Sequence, residues 1–203
     1  MKNKILTPFS GVITAVALLL LGNQAYAVPV LTFTPNTQTV ELGNQAAVTV
    51  GVSGLTNEFV GAYDFSVNWD SSILSLASVD FGNFLDGPNN SGTSVVESTG
   101  SVNVAEISLG LLVNQDGVSD IELFTLTYDT LGLGDSFLDF TAGIEPNFGF
   151  LGDELGQELA VNTSQGLIAV VETTSVSEPG LIWLMSLGLA GLLGFRRMET
   201  IRR

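Results

Sequence analysis

The chain has 203 residues, with 21 Asp and Glu against six Lys and Arg, no His, no Cys and a formal net charge of −15. Lacking Cys and His, it can build no disulfide, no thiolate or imidazole metal site and no His-dependent Ser or Cys nucleophile. Its acidity also disfavours nucleic acid and anionic lipid as partners.

Charge is segregated along the chain. Lys2 and Lys4 lie at one end, and Arg196, Arg197, Arg202 and Arg203 at the other. Residues 28–179 therefore carry twenty Asp and Glu and no basic side chain. That stretch can form no internal salt bridge. Its carboxylates must be solvated, hydrogen-bonded or bound to cations, and solubility of an exported protein accounts for most of them.

Residues 1–27 read as a secretory signal peptide. Lys2 and Lys4 supply the charged start, Gly11 to Leu21 the apolar run, and Ala25-Tyr26-Ala27 the small-x-small cleavage pattern. An uncleaved anchor would need a longer span of about 20 residues, so cleavage after Ala27 is the reading adopted.

Residues 28–172 alternate short strands with turn residues. Extended runs fall at Val30 to Thr34, Thr37 to Leu42 and Ala46 to Ser53, the last with Val48, Val50 and Val52 at every second position. In Gly61 to Trp69 one row holds Tyr63, Phe65, Val67 and Trp69, and the other holds Ala62, Asp64, Ser66 and Asn68. That pattern fits a sheet packed on one side. Asp70-Ser71-Ser72 caps a turn; Leu74 and Leu76 fit either a helical turn or the start of the strand through Phe81. Ser94 to Glu97 and Val102 to Leu109 read as a hairpin with a loop of about three residues. In Ile121 to Tyr128 the apolar phase switches between Leu123 and Phe124, which predicts a β-bulge or a corner. Phe137 to Thr141 follows, then an irregular segment from Gly143 to Thr163, then the wholly apolar Leu167 to Val171. About nine strands without crossover helices predict an all-β, antiparallel β-sandwich.

Carboxylates are the catalytic groups that remain, and a glycosidase needs only two of them. No pair here is marked by its spacing, and no cation is present to hold an anionic substrate. No cofactor is expected, calcium being the one candidate, since it takes carboxylate and carbonyl oxygens. Weak candidate ligands are Asp116, Asp120 and Glu122, and in a second loop Glu145, Asp153 and Glu154, with Asn147 and Glu158 beside them. Neither cluster has EF-hand spacing, and solvated acidic loops explain both. The row Tyr63, Phe65, Trp69 could stack on sugars, but its period-2 placement with Val67 suits a core better.

Two resemblances rest on these segments. Val48-Thr49-Val50-Gly51-Val52, the run Val60 to Asp70, Ser72 to Val79, Phe124 to Tyr128 and Phe137 to Phe140 are similar to the strands of cohesin-type domains. That resemblance implies a nine-stranded jelly-roll sandwich which binds dockerin modules or acts as an adhesive surface module. The tail resembles the PEP-CTERM sorting signal. Its parts are Ser177-Glu178-Pro179-Gly180, the apolar run Leu181 to Phe195, and Arg196-Arg197. Ser177 stands where that family commonly has Pro. The resemblance implies processing by an exosortase, a membrane protease-transpeptidase.

The resulting division is a signal peptide (1–27), a cohesin-like sandwich (28–172), a linker with the sorting motif (173–180), a transmembrane helix (181–195) and a basic cytoplasmic tail (196–203). Fifteen helical residues span roughly 22 Å, short of the ~30 Å hydrocarbon core. Arg196 and Arg197 would stop transfer and remain cytoplasmic. The expected protein is non-enzymatic and exported, held briefly in the inner membrane and then released to the cell surface or matrix. A dockerin-like module or a polysaccharide is the expected partner, and a carboxylate glycosidase the reading from another class.

Overall fold

A computed structural model describes residues 28–85, 90–143 and 149–173, together with Met185. The signal peptide with Ala25 and Ala27, the motif Ser177 to Gly180, Arg196, Arg197 and Glu145 lie outside the described residues. So does the expected spanning helix, apart from Met185. Among the described residues no helix is long and apolar enough to cross a membrane.

The strands are β1 (Val30–Thr34), β2 (Thr37–Glu41), β3 (Gln45–Ser53), β4 (Ala62–Asn68), β5 (Leu74–Phe81), β6 (Ser91–Ser98), β7 (Ser101–Ser108), β8 (Asp120–Thr130), β9 (Gly134–Ala142), β10 (Leu151–Gly152), β11 (Glu158–Leu159), β12 (Asn162–Thr163) and β13 (Gly166–Val171). They form two sheets. One runs β12-β1-β3-β8-β5; the other runs β11-β10-β4-β9-β13-β2, with β7 on the far side of β4 and β6 outside β7.

The expected sandwich is present, with local differences. The stretch from Gly143 to Thr163 is not wholly irregular, because β10, β11 and β12 pair there with β4, each other and β1. These strands are two residues long, too short for any periodicity to register. The β6–β7 hairpin turns through two residues, Thr99 and Gly100, since Ser98 already pairs with Ser101. Leu74 and Leu76 belong to a strand. Pairing is mostly antiparallel, but β13 runs parallel to β2 and β12 parallel to β1.

Period 2 decides what is buried. Ala46, Val48, Val50 and Val52 turn inward from β3, and Tyr63, Phe65 and Val67 from β4, all at most 1% exposed. Phe65 sits at the centre of the core, its ring 5.5 Å from that of Tyr63, 5.7 Å from Phe124 and 5.5 Å from Phe140. Trp69 continues the row past the end of β4. Its indole N–H donates to the Leu74 carbonyl at 3.0 Å and its ring meets Tyr128 edge-on at 5.2 Å. The row is therefore core, as its period-2 placement with Val67 predicted, and not a sugar-stacking surface.

The phase switch in β8 is a bulge. Val50 pairs with Phe124 and Gly51 with Glu122, leaving Leu123 as the extra residue. The insertion lets Ile121 and Leu123 face the core together with Phe124, Leu126 and Tyr128, all buried.

Candidate interaction face

The sheet β6-β7-β4-β9 turns one side to the core, and among the described residues no element covers its other side. Cross-strand pairing fixes the outer row. Asp64 lies opposite Ala105, Ser66 opposite Asn103 and Thr141, and Asn68 opposite Asp139 and Ser101. These side chains hold one another. The Asn103 amide donates to Asp64 Oδ1 at 2.7 Å, and the Asn68 amide donates to Thr141 Oγ1 at 2.8 Å. At the margin, Gln165 donates to Asp139 Oδ1 at 2.8 Å. The centre of the face is thus polar and held in place by its own hydrogen bonds. Exposed apolar side chains frame it: Ile107 at 50% and Phe137 at 52%. A polar, prepositioned surface with a few exposed apolar anchors suits a protein partner.

One carboxylate lies on the opposite, inward side. Val102, Val104 and Glu106 share one row of β7, and Glu106 is 3% exposed. Tyr63, its cross-strand neighbour, donates its phenol to Glu106 Oε2 at 2.9 Å. Oε1 has no hydrogen-bond partner among the described residues. Burial raises the Glu106 carboxyl above its ordinary range, opposed by hydrogen bonds from Ser91 and Tyr63. Burial, reinforced by the Glu106 charge, also raises the Tyr63 phenol. Sequence reasoning passed over this residue, yet its signal was present: Val102-Asn103-Val104-Ala105-Glu106 puts a carboxylate in the apolar phase.

A second buried polar group, Gln115, had no such signal. Its amide oxygen accepts from the Val60 N–H at 2.7 Å, and its amide nitrogen donates to the Val60 and Phe84 carbonyls at 2.8 and 3.0 Å. It pins the loop after β7 to the segments before β4 and after β5. The same loop carries Leu112 at φ 52, buried, while Leu111 is 88% exposed. Between this loop and the β10–β11 turn lies a cleft of about 420 Å³, lined by Phe59, Ile107, Leu111, Leu112, Asp153 and Glu154.

Among the described residues, the calcium candidates are not drawn together. Asp116 is exposed just after a 3-10 turn, Val113–Gln115. Asp120 and Glu122 point outward from β8, and Asp120 accepts from Ser119 Oγ at 2.7 Å. Asp153 Oδ1 accepts the N–H groups of Leu155 and Gln157 at 2.8 and 2.7 Å, which is turn chemistry. Glu154 is exposed beside it. Among the described residues, no three carboxylates are grouped to hold a metal ion.

Known proteins share this architecture. The Cohesin domain family model matches residues 31–129. The sixth cohesin of scaffoldin B from Acetivibrio cellulolyticus, solved in complex with a dockerin, is similar with a TM-score of 0.55 at 18% identity; the match covers 71% of this chain and 100% of that one. A cohesin module of a family 33 glycoside hydrolase from Clostridium perfringens gives 0.57 at 16% identity, covering 71% and 98%. A type I cohesin–dockerin complex from Clostridium thermocellum gives 0.54 at 16%, covering 71% and 100%. No curated protein matches the chain.

Proposed function

Taking as premise that the chain carries a cohesin-type domain, we propose that it is an exported, non-enzymatic surface protein which binds a protein module through the outer face of β6-β7-β4-β9. The observation that carries this reading is that face itself, with Asp64 and Asn103, and Asn68 and Thr141, joined by hydrogen bonds and with Ile107 and Phe137 exposed beside them. Two of the similar cohesins were solved with dockerins bound, which makes a dockerin-like module the first partner to test. Among the described residues Glu106 is the one buried carboxylate, and it faces the core, which favours binding over hydrolysis.

The tail supplies the address. We infer that the signal peptide exports the domain, that Leu181 to Phe195 holds it briefly in the inner membrane, and that an exosortase processes it near Glu178-Pro179. Cell surface or matrix is then its destination. The opposed signs of domain and tail support this order, because a domain with no cation passes outward while Arg196 and Arg197 stay behind.

Pull-downs with dockerin-type modules test the binding face. Asn103→Arg and Phe137→Asp are expected to abolish capture while the fold persists by circular dichroism. Capture unaffected by both would remove this face from the reading, and retention on a glycan array in place of dockerins would transfer the function to polysaccharide. The intact mass of the extracellular product tests the tail. A C-terminus near Glu178 is expected, and a product retaining Arg203 would mean a stable anchor.

A further inference from the structure

The outermost strand of the larger sheet, β6, pairs with β7 along its whole length, from Ser91 opposite Ser108 to Ser98 opposite Ser101, without a bulge. Among the described residues no strand lies on its other edge. Exposed strand edges invite pairing, and proteins blunt them with bulges, short length, Lys or Pro. The remaining edges here are blunted. β5 is broken by a bulge between Leu76 and Ser78, β11 and β12 have two residues each, and β2 has five. β6 has eight residues, no Lys and no Pro, and its one charge is Glu97. Val95 and Val96 are 43% and 57% exposed.

The phase of its hydrogen bonds can be fixed. The Leu109 N–H donates to the Asn90 carbonyl at 2.7 Å, so Asn90 turns its backbone polar groups toward the β7 side. In an antiparallel ladder such residues recur at every second position. Gly92, Ser94, Val96 and Ser98 therefore bond to β7, while Thr93, Val95 and Glu97 present N–H and C=O to the open edge.

We propose that two copies of this chain join through their β6 edges, antiparallel and two-fold symmetric about Val95. Any strand paired antiparallel with its own copy makes an isologous, closed contact. This register sets Val95 against Val95 of the second copy and Thr93 against Glu97. The two Glu97 carboxylates then lie four residues apart, ~13 Å, beyond the screening length of ~8 Å at physiological salt. Val95 shares its side of the sheet with Val102 and Val104, since Val95 pairs with Val104, so the new contact prolongs an apolar row. Repulsion between two acidic domains opposes the pairing, and salt weakens that repulsion. The dimer therefore strengthens as salt rises, whereas a basic extended segment from another protein would bind the same edge more weakly.

The test is sedimentation of the full chain in mild detergent at low and raised salt. A dimer that grows with salt is expected. Val95→Pro removes an outward N–H and leaves every hydrogen bond to β7 in place, so it should sediment as monomer. Should that variant fail to fold, Val95→Lys places two cations at the symmetry axis and is expected to be monomeric too. The chain has no Cys, so Val95→Cys should give an oxidised dimer and Gln38→Cys, on β2, should not. A wild-type chain that is monomeric at raised salt, a folded Val95→Pro or Val95→Lys that still dimerises, or equal cross-linking from both cysteine positions would overturn the proposal.

Discussion

Glu106 places a carboxyl within the apolar interior. Its Oε2 takes the Tyr63 hydroxyl while Oε1 is left without a partner among the described residues. Because burial raises its folded pKa, the native state holds this proton more tightly than the unfolded chain. The resulting stability is full below the ordinary Glu value and is lost as pH rises through the raised folded value. Glu106→Gln carries no such proton. Its melting temperature relative to wild type should be level below pH 4.5 and climb toward neutrality; a constant difference would contradict the assignment. Asp70 has the opposite sign. Hydrogen bonds from the Ser72 hydroxyl and N–H lower its pKa, so its contribution is present above the ordinary value and is lost on acidification. Tyr63→Phe should cost about 1–3 kcal/mol by stripping a buried carboxyl of one of its two donors, Ser91 being the other. Adding Glu106→Met to that variant should recover much of the loss, since the carboxyl left short of a donor is then gone as well. Urea unfolding of the four proteins in this cycle measures the coupling.

Among the elements, the bulge in β8 controls which side chains reach the core. It presses carbonyl groups against both neighbouring segments, and both neighbours are glycine at the contact. A Cβ on Gly51 would lie 2.7 Å from the Ile121 oxygen, and one on Gly82 would lie 2.6 Å from the Glu122 oxygen. Backbone atoms yield less readily than a flexible side-chain tip. Gly51→Ala and Gly82→Ala should each destabilise by about 1–3 kcal/mol, the usual cost of overpacking. Ala47→Gly, on an exposed β3 position away from the bulge, should cost less than either. Denaturant midpoints of the three variants decide it. The alternation in β8 announced this bulge, because Ile121, Leu123, Phe124 and Leu126 cannot all face one side of a regular strand. The short strands β10, β11 and β12 gave no comparable sign, and what holds them is pairing with β4, each other and β1.

At the scale of the whole molecule, charge is the dominant stress. Residues 28–179 hold twenty carboxylates and no Lys, Arg or His. Salt should therefore raise the melting temperature of the domain progressively, as screening relieves repulsion between exposed charges. Sodium chloride and a neutral osmolyte compared at equal osmolality separate screening from exclusion effects. A melting temperature indifferent to sodium chloride would mean that the outward carboxylates are too far apart to interact.

The sequence alone determined the all-β class, the inward rows of β3 and β4, the break in phase along β8 and the segregation of charge. Each is written in local order, because side chains alternate every residue along a strand and charge can be counted along the chain. Even Glu106 stood in an apolar row for anyone reading the phase. Tertiary structure decided which rows meet. It brought Tyr63 onto Glu106, fitted Gln115 between Val60 and Phe84, laid Asn103 beside Asp64 and, among the described residues, left the outer edge of β6 unpaired. Ser164, for example, bonds the Leu31 carbonyl across 133 positions. Such contacts follow from the order in which strands assemble into sheets, and that order is fixed by the shared core and not by any segment alone.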